Sequence, residues 1–335
     1  MLLRLSIVVA LCALIALAAQ PAAAAKNGPD PIVIQDPQYG EVLFHFYQED
    51  YFPAIVKLLA AQDQGQLNDH LEQAELLLGG LYLSYGHHLE AADIFQRLLA
   101  DNVDREIRDR TWFFLSKIWH QRGYLDKAQQ ALDNLSEDLP KNLRREANMA
   151  QAQLYIDSAE YGKAVALLQE WKGKTEWASY AKFNLGVALV RNGNVDAASE
   201  ILNELGDIDP FNEELTSLRD RANLALGYSL LQAGQPYAAK APLQRVRLEG
   251  PFSNKALLGM GWADAEIGNY RRALVPWMEL RGRDLLDPAV QEAMLAIPYA
   301  LARLESVSQA ADHYVNAIEA FSEETDRIDR TIGYI

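Results

Sequence analysis

Cysteine is nearly missing from the chain: the single one, Cys12, lies within the first 25 residues, whose composition differs from everything after them. Once that segment is removed there is no disulfide, no thiolate metal site and no cysteine nucleophile, so stability must come from packing. Positive charge is also scarce, with 31 Lys and Arg against 46 Asp and Glu and a formal net charge of -15. So acidic a field argues against nucleic acid as a partner and allows a membrane role only through other proteins. Long apolar runs are confined to residues 5–19, a stretch of 15 broken only by Ser6. A membrane-spanning helix needs about 20 such residues.

The usual signatures of catalysis are missing as well. There is no G-x-S-x-G elbow, phosphate-binding glycine loop or H-E-x-x-H helix in the sequence. His45, His70, His87, His88, His120 and His313 do not fall at metal-ligand spacing, and His87-His88 reads as a solvated turn. Ser84 precedes these histidines but has no acid placed to orient them. The acidic pairs Glu137-Asp138, Glu213-Glu214 and Glu323-Glu324 sit beside loops, and adjacent carboxylates on a helix diverge instead of flanking a bond. We expect no enzyme activity, no cofactor and no metal.

What is present begins with a leader. Arg4, the apolar stretch, Gln20-Pro21 and the small residues Ala22 to Ala25 form a secretory signal over residues 1–25, with a mature start near Lys26. Leu11 before Cys12 does not fit a lipoprotein signal. Cleavage removes one basic and no acidic residue, taking the net charge from -15 to -16. The expected location is the periplasm, with residues 26–37 as a linker.

Half of the residues are hydrophobic and 23% are charged, enough apolar material for a folded core. Small residues return at Ala54, Ala91, Ala128, Ala164, Ala198, Ala239, Ala273 and Ala310, separated by 37, 37, 36, 34, 41, 34 and 37 residues. Around them recur a Leu-Gly pair or similar (Leu78-Gly79, Leu185-Gly186, Leu226-Gly227), a turn glycine (Gly86, Gly123, Gly193, Gly234, Gly268) and a terminal proline (Pro140, Pro210, Pro251). A small residue opening the second helix of a pair lets the two helices cross closely. Glycine makes the turn, and proline ends one pair before the next begins.

This pattern resembles the tetratricopeptide repeat over residues 38–322. The resemblance implies an all-α, right-handed superhelical solenoid of about eight helix-turn-helix repeats. Val42 and Pro298 depart from the small residue of the first helix in the two end repeats, where atypical residues are expected. Residues 323–335 read as a C-terminal helix or the start of a further repeat, with Ile328, Ile332 and Ile335 as a stripe expected to dock on the eighth repeat.

The resemblance also implies a groove formed by the first helices. Projecting the register places on it Arg110, Phe113, Lys117 and His120 from the third repeat, Tyr180, Phe183 and Arg191 from the fifth, and Arg221 and Tyr228 from the sixth. Lys255 and Trp262 follow from the seventh and Tyr299 from the eighth. Cations among aromatics on an acidic protein suit a carboxylate, an extended peptide or a sugar. Asn184 and Asn223 do not reproduce the paired asparagines and lysines by which the family clamps a peptide terminus. The expected role is a non-catalytic periplasmic scaffold for envelope proteins or extended peptides, in secretion, polysaccharide export, motility or outer-membrane assembly. The alternative is a glycan-binding module or the helical part of a cell-wall lytic system.

Overall fold

The structure is a computed structural model that describes residues 34–101, 103–171 and 176–334. The expected leader, the mature start near Lys26, most of the linker and Ile335 lie outside the described residues. Among these residues there are sixteen helices and no strand. In chain order they run α1 (Pro37–Tyr47), α2 (Tyr51–Asp63), α3 (Leu71–Ser84), α4 (His88–Ala100), α5 (Arg105–Gln121), α6 (Leu125–Asp133), α7 (Lys141–Asp157) and α8 (Tyr161–Gln169), the first and second helix of each repeat in turn. The series continues with α9 (Glu176–Arg191) and α10 (Val195–Gly206), α11 (Glu213–Gln232) and α12 (Pro236–Arg245), α13 (Ser253–Glu266) and α14 (Tyr270–Arg281), then α15 (Pro288–Arg303) and α16 (Val307–Ile332). They fall into two compact units, one ending at Leu81 and the other starting at Tyr82, so the division lies inside α3.

The eight alanines read from the sequence occupy one structural position. Each is the fourth residue of the second helix of its pair. All are between 0% and 4% exposed, and each donates its N–H to the carbonyl of the residue just before that helix, at 3.0–3.2 Å. Where both helices of a repeat belong to one unit, the alanine methyl fills their crossing. The first helix contributes glycine to three of the same crossings. A Cβ at Gly186 would lie 2.5 Å from Leu202 and one at Gly227 2.5 Å from Leu243, and one at Gly261 would overlap the indole of Trp277.

The turn between the helices is equally regular. Two residues before each second helix the backbone enters the left-handed region, at φ 79° for Gly86 and 81° for Gly193. Three turns do this without glycine, at Glu49, Ala159 and Glu305 with φ of 62°, 59° and 60°. A left-handed residue with a Cβ costs roughly 1–2 kcal/mol. Ala159→Gly is therefore expected to raise stability by about 1 kcal/mol and Gly193→Ala to lower it by a similar amount. Urea midpoints of the two variants check this, and equal shifts of the same sign would contradict it.

Polar anchors tie the connecting loops down. In the first unit the buried Asp36 carboxylate accepts the N–H groups of Asn68, Asp69 and His70 at 2.9–3.1 Å. Burial works against its charge, but the donors from His70, Asp69 and Asn68 outweigh it and hold the carboxyl below its usual pKa. Tyr39 stacks on the His70 ring, centroids 5.0 Å apart. In the second unit Asp109 accepts from the Ser136 N–H and hydroxyl at 3.0 and 2.8 Å, and the fully buried Asp220 accepts from Arg247 Nε at 2.6 Å.

Two features of the array differ from its average. The 41-residue step between the fifth and sixth repeats is absorbed by the loop after α10 and by α11, at 20 residues the longest first helix of any pair. At the far end, the stripe expected to dock on the eighth repeat does not. Residues 323–332 continue α16, a single helix of 26 residues whose buried positions are Ala310 and Ala317. Ile328 and Ile332 are 41% and 63% exposed. An uninterrupted helix carries them away from α15, and docking would have needed a turn that the sequence there does not encode. No described helix is long and apolar enough to cross a membrane.

Candidate functional site

A groove of about 690 Å³ opens on the second unit, and its helical lining comes from the first helices of the fifth to eighth repeats. Phe183 and Arg191 reach it from α9, Arg221, Leu224, Ala225 and Tyr228 from α11, and Lys255 and Leu258 from α13. Phe252, just before α13, and Pro288, Ala289 and Glu292 of α15 complete the wall. Two smaller hollows share its residues: one of about 480 Å³ along Val187, Val190, Arg191, Tyr228 and Gln232, and one of about 300 Å³ between Tyr180, Glu214 and Arg221.

The repeat geometry explains this lining. Arg221, Leu224, Ala225 and Tyr228 are spaced by three, four and seven residues, so they share one face of α11. The Arg221 guanidinium lies 4.8 Å from the Phe183 ring centroid, a cation held on the aromatic wall by the neighbouring repeat. Tyr228 donates its hydroxyl to the Lys255 carbonyl at 2.8 Å. Burial, reinforced by the charge of Glu292, pushes this phenol up to about 12, so it remains a donor. Tyr180 donates to Glu214, and burial together with that bond pushes it likewise to about 12. Arg191, Arg221 and Lys255 are exposed; among the described residues none of them forms an ion pair. Glu292, the one carboxylate in the lining, accepts from Trp262 Nε1 at 2.6 Å. Three cations in no ion pair, against the single carboxylate of Glu292, leave the groove net positive over an aromatic and aliphatic floor, which can hold an anionic group beside an apolar one.

Five of the residues projected from the sequence therefore meet here: Phe183, Arg191, Arg221, Tyr228 and Lys255. Tyr180 lines the adjoining hollow. Trp262 touches the groove through Glu292, and its ring stands edge-on to Trp277 with centroids 5.0 Å apart. Tyr299, 40% exposed, lies beyond it at 6.2 Å between ring centroids.

The third-repeat residues do not join the groove. Phe113 was expected on the surface but is 4% exposed, packed in a core cluster with Leu143 and Ala147 of α7. Its position on α5 faces the next repeat, and burial of the ring there outweighs display. Arg110 pairs with Glu106 on its own helix at 3.2 Å, Lys117 lies 5.7 Å from the Phe113 ring, and His120 meets Asp157 at 2.6 Å. Asn223 is also structural: fully buried, it donates to the Gly206 carbonyl and accepts from Arg245 Nε, both at 2.8 Å. Among the described residues no three metal-ligating side chains cluster.

Sequence reading missed the apolar floor. Leu224 and Ala225 were recoverable as the three- and four-residue continuation of the face that starts at Arg221. Phe252 and Pro288 lie at helix entries, where no helical period applies, and had no such signal.

Solved structures with the same succession of helical pairs include a tetratricopeptide repeat protein from Parabacteroides merdae, at 18% identity and a TM-score of 0.53, with 78% of this chain and 99% of that chain covered. The C-terminal part of a TPR repeat-containing protein from Cytophaga hutchinsonii is 13% identical, with a TM-score of 0.54 and coverage of 76% and 98%. The chain has the tetratricopeptide-repeat fold. PilW, a type IV pilus biogenesis factor, shares the fold at 15% identity and a TM-score of 0.53, over 68% of this chain and 100% of that one. No protein-family model and no curated protein sequence matches the chain. The tetratricopeptide solenoid thus rests on its geometry and on these structural likenesses.

Proposed function

We propose that this tetratricopeptide solenoid is a non-catalytic periplasmic scaffold whose groove seats an extended, acidic and apolar peptide segment of another cell-envelope protein. The observation that carries the reading is the set of three unpaired cations, Arg191, Arg221 and Lys255, over the Phe183, Tyr228 and Phe252 walls. Four successive repeats supply that surface, which suits a ligand lying across the helices. The leader over residues 1–25 motivates the periplasmic setting, and PilW, itself a pilus biogenesis factor, gives an example of the fold in envelope assembly.

The test is a photo-crosslinking residue introduced at Phe252 in cells, followed by identification of the captured segment. Replacing Arg191, Arg221 and Lys255 together by Ala is expected to abolish capture with helicity unchanged, because the three side chains are exposed. Binding of the captured segment as a peptide should weaken as salt rises. A segment held equally by the triple variant at low and high salt would place function elsewhere. Capture of cell-wall glycan in place of protein would favour the glycan-binding alternative.

A further inference from the structure

A hollow of about 350 Å³ lies between the seventh and eighth repeats and shares no residue with the groove. Leu274, Met278 and Arg281 enter it from α14, Ile297 and Leu301 from α15, and Gln309, Asp312, His313 and Asn316 from α16. Each set follows the three- and four-residue spacing that puts side chains on one face of a helix. The faces differ in kind. Ile297 and Leu301 are buried and Leu274 partly so, which makes an apolar floor, whereas all four residues from α16 are polar.

Arg281 and Asp312 bring opposite charges to this hollow, both exposed, yet no ion pair joins them and neither pairs with another described residue. Arg281 turns instead to the imidazole: its Nη1 donates to His313 Nδ1 at 3.3 Å. A guanidinium can only donate, so Nδ1 accepts and the neutral ring carries its proton on Nε2. Burial, helped by the Arg281 charge and opposed by that of Asp312, holds this imidazole below its usual pKa. The hollow therefore holds one lasting positive and one lasting negative charge at neutral pH.

That balance narrows the occupant. An apolar helix would bury Arg281 and Asp312 unpaired, which is costly. A metal ion would find only Asp312 and His313 as ligands in the lining. A simple carboxylate meets like charge at Asp312, and a simple amine meets it at Arg281. A small molecule with both charges and an apolar group satisfies the guanidinium, the carboxylate and the floor together. Its size is limited as well, because the hollow lies at the small end of ligand pockets, about 300–1,000 Å³.

We propose that this hollow binds a free α-amino acid with an aliphatic side chain, Arg281 taking its carboxylate, Asp312 its ammonium group, and Leu274, Met278, Ile297 and Leu301 its side chain. The Nε2 proton of His313 and the amides of Gln309 and Asn316 supply further donors. Both repeats contribute, so occupancy stabilises the seventh against the eighth. The site is separate from the groove, and its test is independent of the scaffold reading.

The test is isothermal titration calorimetry of the full chain at pH 7 with L-leucine, N-acetyl-L-leucine, which lacks the ammonium group, and L-leucinamide, which lacks the carboxylate. The last two also stand in for the ends of a peptide. Leucine is expected to bind about tenfold or more tightly than either, since each loses one charged partner. Arg281→Gln should reduce leucine to the level of leucinamide, and Asp312→Asn to that of N-acetyl-leucine, with circular dichroism unchanged because both side chains are exposed. Leucine should also move the His313 ring signals in the NMR spectrum, which locates the binding. Failure of leucine to bind at millimolar concentration, equal binding of the three compounds, or wild-type affinity in either variant would overturn the proposal. So would binding that leaves the His313 signals in place.

Discussion

Trp277→Ala is expected to destabilise the second unit by about 3–5 kcal/mol, the cost of removing a large aromatic from a closed core. Trp277 is the largest fully buried side chain described. Its indole N–H donates to the Leu258 carbonyl at 3.2 Å, and its ring sits against Gly261, where even a methyl would overlap it. It belongs to the cluster built from α13 to α16, with Leu257, Leu280, Val290 and Ile297, and the substitution leaves these residues around a cavity. The urea midpoint should fall, and amide exchange should accelerate first within residues 253–303. Tyr237→Ala, at a ring 75% exposed, serves as the control and should change stability by no more than about 0.5 kcal/mol. A Trp277→Ala loss no larger than the control's would refute the packing described. Gly261→Ala is costly alone, but in the Trp277→Ala background its added methyl enters the vacated space. The two substitutions together should therefore cost less than their sum.

Ala198→Trp carries the second large effect, expected at the upper end of about 1–3 kcal/mol or beyond it, because a bulky ring is forced into a filled crossing. Ala198 is fully buried, clustered with Ala181, Leu185 and Leu189 of α9 and with Ala152 and Leu168 of the preceding repeat. Displacing α10 from α9 would disturb both contacts, so the loss should spread beyond one pair. Thermal denaturation of Ala198→Trp beside Glu200→Ala, an exposed position two residues on, separates the crossing from the surface. An unchanged midpoint for the tryptophan variant would mean that the repeat register is misplaced. Ala128 stands at the same position in α6 and is 1% exposed, so Ala128→Trp should behave alike.

The three substitutions in the groove are cheap in stability by comparison, because the side chains involved are exposed. Loss of binding there can be read as loss of contact. This separation of effects follows from how the solenoid is built: the crossings are filled by small residues, and the charged and aromatic side chains project from the remaining helix faces.

The sequence by itself determined the repeat. Its eight alanines, five turn glycines and the spacing between them encode contacts within a single helix pair, and such contacts recur wherever the short pattern recurs. It also revealed which side chains of the fifth to seventh repeats share a helix face, and so most of the polar rim of the groove. Only the tertiary structure decided which of these faces meet. Phe113 and Phe183 occupy comparable first-helix positions and both rings are buried in core clusters, at 4% and 9% exposed, yet Phe183 also lines the groove beneath Arg221. Phe252 and Pro288 arrive from helix entries that no periodicity describes. Ile328 and Ile332 read as a buried stripe, but whether an apolar stripe is covered depends on a helix being placed opposite it, and α16 runs on without turning back. Helix pairing is local and written in the chain; exposure belongs to the neighbour, which the residue's own sequence does not specify.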